Sequence, residues 1–91
     1  MIEIIYEEEN HQSLAFDGEL IVGECIYEIR EDDKWYILHT RVRSDYGGQG
    51  IAKKMVLRII EEARKANKKI VPICSYAYKM MVDNKDYEDV L

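Results

Sequence analysis

The chain has 91 residues, 47% of them hydrophobic, which fits one domain spanning residues 1–91 that can fold alone near the lower size limit. Its 13 Lys and Arg against 18 Asp and Glu give a net charge of −5, which argues against a general nucleic-acid binder and mildly favours a cationic partner. No segment reaches the roughly 18 apolar residues of a membrane span, and neither a secretory signal pattern nor a metal-ligand spacing of Cys and His is present.

These features lead to the expectation of a reduced, cytoplasmic protein with free thiols at Cys25 and Cys74, without metal or membrane. Ile2–Tyr6 reads as a strand, followed by the polar run Glu7–Gln12. Ser13–Phe16 then runs into Asp17-Gly18, a tight-turn dipeptide. Leu20–Ile29 is a second strand, predicted by even alternation to place Ile21, Cys25, Tyr27 and Ile29 on one face. Glu31–Lys34 is a turn, and Trp35–Val42 is a further strand. Short connections make these an antiparallel meander.

The period changes in the second half. Ile51, Ala52, Met55, Val56, Ile59, Ile60, Ala63 and Ala66 form an apolar stripe at helical spacing. Lys53, Lys54, Arg58, Glu61, Glu62, Arg64 and Lys65 lie opposite. Asn67 is a left-handed stop, Ile70–Cys74 a short buried strand, and Ser75 the cap of a short helix through Val82. The acidic tail Asp83–Leu91 has no assigned structure. The expected class is α+β: an antiparallel meander, then a right-handed strand–helix–strand crossover with parallel strands, then a short C-terminal helix.

Gly47-Gly48-Gln49-Gly50 stands between a strand and the long helix. Glycines allow positive φ and close backbone approach, and the first-turn amides of a helix are free to bind an anion. The loop can equally be a plain flexible turn. Two phosphate motifs are excluded. No Gly-Lys-Ser/Thr occurs, and Gly48-Gln49-Gly50-Ile51-Ala52-Lys53 ends in lysine where a GxGxxG pattern needs glycine.

The wider stretch from His39-Thr40-Arg41-Val42 through Gly47-Gly48-Gln49-Gly50-Ile51-Ala52-Lys53-Lys54 resembles the acetyl-CoA signature of the GNAT superfamily of N-acetyltransferases. That signature runs Gln or Arg, two residues, Gly, one residue, then Gly or Ala. Gly50 and Ala52 fill its last two fixed positions, while Gly47 stands where Gln or Arg is usual. Pro72-Ile73-Cys74-Ser75-Tyr76 is similar to a minimal, single-domain branch lacking the usual C-terminal strands.

The resemblance implies acetyl-CoA as cosubstrate and an amine acceptor: protein, peptide or small molecule. It implies that Arg41 and Val42 supply backbone groups to pantetheine, and that Gly47, Gly48, Gln49, Gly50, Ile51 and Ala52 cradle the pyrophosphate. Lys53 and Lys54 either approach phosphates or are solvated helix lysines. A backbone N–H near Val42 is the implied oxyanion donor.

Cys74, at a strand end before a helix, is either an acyl-accepting nucleophile or proton donor, or a small buried apolar residue. His39 is a candidate general base on the strand neighbouring Cys74, or an exposed strand histidine on the far face. Tyr76 can protonate the leaving thiolate or pack on the sheet. Cys25, mid-strand, reads as core, and His11 as surface. The leading expectation is an acetyl-CoA-dependent N-acetyltransferase, monomeric or weakly homodimeric. A non-catalytic acyl-CoA-binding or sensing module is the alternative, since so short a chain leaves little to build an acceptor pocket.

Overall fold

A computed structural model describes residues 1–91. The strands are β1 (Ile2–Glu7), β2 (Gln12–Asp17), β3 (Leu20–Ile29), β4 (Trp35–Val42) and β5 (Ile70–Pro72). The helices are α1 (Ile51–Ala66) and α2 (Ser75–Met81), with 3₁₀ turns at Glu8–Asn10, Ser44–Tyr46 and Lys85–Val90. One mixed sheet runs in the order β1-β2-β3-β4-β5. Its first four strands are antiparallel neighbours, and β5 joins β4 in parallel. This is the α+β meander and crossover that the period change predicts.

Local chemistry explains the joints. Gly18 takes φ +62° as the first central residue of the two-residue turn between Asp17 and Leu20. Asn67 ends α1 at φ +57°, and its N–H reaches back to Ala63 and Arg64 carbonyls. At α2 the expectation is corrected by one residue. Cys74, not Ser75, holds the cap position, and no side chain caps the helix.

The apolar stripe of α1 lies across one face of the sheet. Ile51, Met55, Val56, Ile59, Ile60 and Ala63 are buried against Ala15, Val22, Cys25, Tyr27, Trp35 and Ile37. Buried Ser13 donates from β2 to the Met55 carbonyl at 2.9 Å, tying helix to sheet through a fully satisfied hydroxyl. The C-terminal tail is ordered. Tyr87 and Val90 join the core, and Arg64 grips Asp89 through two hydrogen bonds of 2.8 and 3.0 Å.

The sheet departs from even alternation twice. Phe16 opposes Ile21 and Ala15 opposes Gly23, so Val22 is an extra residue. This bulge carries Val22 inward and leaves Ile21 49% exposed, contrary to its expected place beside Cys25. Ile29, also expected inside, is exposed at the end of the β3–β4 hairpin. The second bulge lies in β4. Ile26 opposes His39 and Tyr27 opposes Ile37, so Leu38 is extra. Beyond it the phase reverses: Thr40 and Val42 turn inward, and His39 and Arg41 are exposed.

Candidate active site

α1 begins where the chain has just turned through glycine. Gly48 and Gly50 sit at φ +78° and +73°, a region that favours glycine. A Cβ built on either would meet nothing within 4 Å, so the loop's outer side is open. Gly47 donates to Ser44, and Lys54 is the next N–H along the chain to find a backbone acceptor, the Gly50 carbonyl. The amides from Gly48 through Lys53 therefore lack backbone partners and bracket a helix N-terminus. Gln49, Lys53 and Lys54 are exposed around them, while Ile51 is buried and Ala52 half-buried.

The base of this loop is fixed by contacts that sequence patterns do not reveal. Tyr46 donates to Asp17 of the β2–β3 turn at 2.6 Å, and Arg43 pairs with Asp45. The bond from Tyr46 holds the Asp17 carboxyl below its ordinary range and pushes the Tyr46 phenol above its own.

β4 and β5 stay together only briefly. Trp35, Tyr36 and Ile37 pair with Ile70, Val71 and Pro72. The N–H groups of Ile73 and Cys74 then both turn to the Ile37 carbonyl, at 3.1 and 2.9 Å, and the chain leaves for α2. Pro72 suits this parting, since proline cannot extend a ladder. On the other side of β4, Arg43 donates to Val22 at 2.8 Å. Antiparallel alternation from that bond aims the N–H and C=O of Val42 and Thr40 away from β3, into the gap. Beyond Ile37, β4 thus offers an unpaired backbone edge that leads from the glycine loop towards Cys74.

Cys74 is half-buried at the gap, and its Sγ donates to Thr40 Oγ1 at 3.3 Å. Cys25 is fully buried, with Sγ 3.6 Å from the same oxygen. Burial pushes the Cys25 thiol up to about 11, opposed by its bond to Thr40. Thr40, which sequence reasoning passed over, is therefore the side chain that links the two thiols.

His39 is not brought to Cys74. The Leu38 bulge exposes it on the opposite side of the strand from Thr40, and its imidazole makes no hydrogen bond. Tyr76 is 40% exposed on α2, within two residues of Cys74 in the chain, and Ile73 and Tyr78 are exposed beside it. Arg41 is exposed and Val42 packs on the core. His11, read as surface, instead stacks on Tyr27 at 5.0 Å between ring centroids. The largest surface hollow, about 590 Å³, lies elsewhere, at the β3–β4 hairpin around Glu28, Arg30, Asp32 and Tyr36. It is lined chiefly by the carboxylates Glu28, Glu31 and Asp32 with Arg30 and Tyr36, and has no thiol and no helix N-terminus, so the open gap is the better candidate. No helix is long and apolar enough to cross a membrane.

Known proteins share this fold. The model of the GCN5-related N-acetyl-transferase family matches residues 11–90. A GCN5-like protein of Staphylococcus aureus, solved by NMR, is 34% identical, with a TM-score of 0.76 over 97% of this chain and 85% of that one. A predicted acetyltransferase of Clostridium acetobutylicum in complex with acetyl-CoA shares the fold at 21% identity and a TM-score of 0.60, covering 82% of this chain and 59% of that one. Arabidopsis thaliana Naa50, bound to a bisubstrate analogue of CoA and an acetylated peptide, shares it at 21% identity and a TM-score of 0.53, over 74% and 54%. No curated protein matches the sequence.

Proposed function

This chain belongs to the GCN5-related N-acetyltransferase family, and we propose that it uses acetyl-CoA to acetylate an amine acceptor. The observation that carries the reading is the continuous path from the free amides of Gly48–Lys53, along the unpaired edge of β4, to the thiol of Cys74. A phosphate-bearing, extended thioester matches that path in charge and shape. The amides of Gly48, Gln49, Gly50, Ile51 and Ala52 bind pyrophosphate, with Lys53 and Lys54 adding charge; Gly47, expected among them, spends its N–H on Ser44 and shapes the turn. The backbone of Val42 and Thr40 pairs with pantetheine as an extra strand would; Arg41, expected to share this role with Val42, turns its backbone groups towards β3 instead.

In the chemical step, the Cys74 thiolate attacks the acetyl carbonyl, and the Val42 N–H stabilises the oxyanion. The bond to the CoA sulfur breaks, and the departing thiolate takes a proton from Tyr76. The neutral amine then attacks acetyl-Cys74, forming the amide and returning the Cys74 thiolate. The proton the amine loses returns through water to the Tyr76 phenolate; His39, expected as general base, faces the other side of β4 and takes no part in this step. Within this reading the protein works in the cytoplasm without metal, as a monomer or weak homodimer.

The test is calorimetric titration with acetyl-CoA, followed by intact mass of the same sample. Binding with one added acetyl group, lost in Cys74→Ala, is expected. Turnover should also fall in Val42→Pro, which cannot donate its amide. Full transfer activity in Cys74→Ala would sink the covalent route, and no acetyl-CoA binding would sink the whole reading. The exposed Ile73, Tyr76 and Tyr78, with no enclosed acceptor pocket beside them, favour a second reading as an acyl-CoA-binding module. Binding without transfer to any amine of a broad panel would select it.

A further inference from the structure

Thr40 has one hydroxyl proton, and it faces two thiols. Cys74 donates to its oxygen at 3.3 Å, and Cys25 lies 3.6 Å from the same atom. A hydroxyl carries one donor and two acceptor sites, so it cannot donate to both sulfurs at once. Which way it turns depends on which sulfur keeps its proton. Cys25 has no exposed surface and lies in the core cluster with Ala15, Val22 and Tyr27, where an ionised thiol would have no water. Burial accordingly pushes its thiol up to about 11. Cys74 stands at the open gap. Thr40 thus has beside it a buried thiol that keeps its proton on one side and a thiol open to the gap on the other.

We propose that Thr40 is a positioning residue for Cys74: its hydroxyl, held from behind by the Cys25 thiol, switches from accepting to donating when Cys74 ionises, and so stabilises the thiolate in the gap. Only one proton leaves the group, from Cys74 to water. The protons of Thr40 and Cys25 stay on their own atoms, and only hydrogen bonds are exchanged. The β4 bulge at Leu38 makes this possible, because it turns Thr40 rather than His39 inward. Other ionisable or charged groups on the flanking elements are Glu24, Tyr27 and Glu28 of β3, Tyr36, His39 and Arg41 of β4, and Tyr76, Tyr78 and Lys79 of α2. None of them bonds to either sulfur or to Thr40. The α1 residues across from Cys25 are apolar. The assignment rests on the reading of Cys74 as acyl acceptor, but its test needs no catalysis.

That test is the rate of iodoacetamide alkylation of Cys74 in the full chain without acetyl-CoA, from about pH 6 to about pH 10, with the site located by peptide mass. In Thr40→Val, which keeps the shape and removes the hydroxyl, the midpoint of the profile should rise by roughly one pH unit. Thr40→Ser should restore it, and Cys25→Ala should move it the same way by less. A wild-type profile in Thr40→Val overturns the proposal, as does an equal shift in Thr40→Val and Thr40→Ser, which would mean packing alone. Should a melting curve show Thr40→Val unfolded, Cys25→Ala decides: no shift overturns the relay. Shifted alkylation in a protein that transfers no acetyl group would sink the enzymatic reading and leave Thr40 in its role. An unshifted profile in an active enzyme would do the reverse.

Discussion

Cys25 makes stability depend on pH in a defined window. Folded, its thiol is pushed up to about 11 by burial; unfolded, a cysteine ionises near about pH 8.5. A raised folded value means stability that is full below the unfolded pKa and lost as pH climbs towards the folded one, amounting to roughly 3 kcal/mol. Urea midpoints of the wild type should therefore fall between about pH 8.5 and pH 11, and those of Cys25→Ala should fall less. Tyr27, raised chiefly by burial, and Tyr6 lose stabilisation higher in the same direction and set the residual slope. Gly23 is a second residue with a specific demand. A Cβ there would stand 2.9 Å from Met55 Cε and 3.0 Å from the Arg41 carbonyl. The methionine can swing away but the β4 backbone cannot, so Gly23→Ala should cost about 1–3 kcal/mol. Because the displaced strand bears the free edge, it should also weaken acetyl-CoA affinity; chemical denaturation and calorimetry read the two effects separately. At this scale the sequence was partly legible. Cys74 and the glycines stood out by position, but Thr40 did not, because its importance comes from a neighbour in β3 and another beyond α1.

The glycine loop and α1 form the element on which the functional reading depends. Gly48 and Gly50 hold left-handed backbone with open space at each missing Cβ. Alanine at Gly50 should therefore cost backbone strain of about 1 kcal/mol without any clash inside the protein. The new methyl would point instead into the open space assigned to the phosphates in the proposed complex. Gly50→Ala should thus lower the melting temperature slightly while weakening acetyl-CoA binding far more; equal loss in both would argue that the loop is only a turn. The extent of α1 was readable because its apolar period runs unbroken from Ile51 to Ala66. β4 was readable in extent but not in phase. A bulge such as the one at Leu38 arises from the register of two strands, and no single-strand periodicity records it. That is why His39 and Cys74, expected on neighbouring strands, lie on different sides of β4. The parting of β5 after Pro72 was only half legible: the proline marks an interrupted ladder, but pairing of Ile73 and Cys74 with one carbonyl emerges only in three dimensions.

Across the whole molecule, α1 covers one face of a five-stranded sheet, α2 adds Ala77 and Met81 to the same core, and the C-terminal turn contributes Tyr87 and Val90 to it. Burial, not charge, should hold this turn in place. Arg64 and Asp89 are well exposed, so Asp89→Asn should leave the melting temperature almost unchanged. Tyr87→Ala empties a buried site and should cost about 3 kcal/mol, measurable by thermal melting. The acidic composition of the tail hid this role, since Tyr87 and Val90 are isolated among charges and show no period. The unpaired stretch of β4 has a consequence beyond catalysis. Exposed backbone donors and acceptors accept any extended chain, including a strand of another molecule. A protein that leaves such an edge open for its ligand is unguarded whenever the ligand is absent. Acetyl-CoA would then act as a shield as well as a substrate, and protein stored with it should remain dispersed under conditions that make the empty protein aggregate.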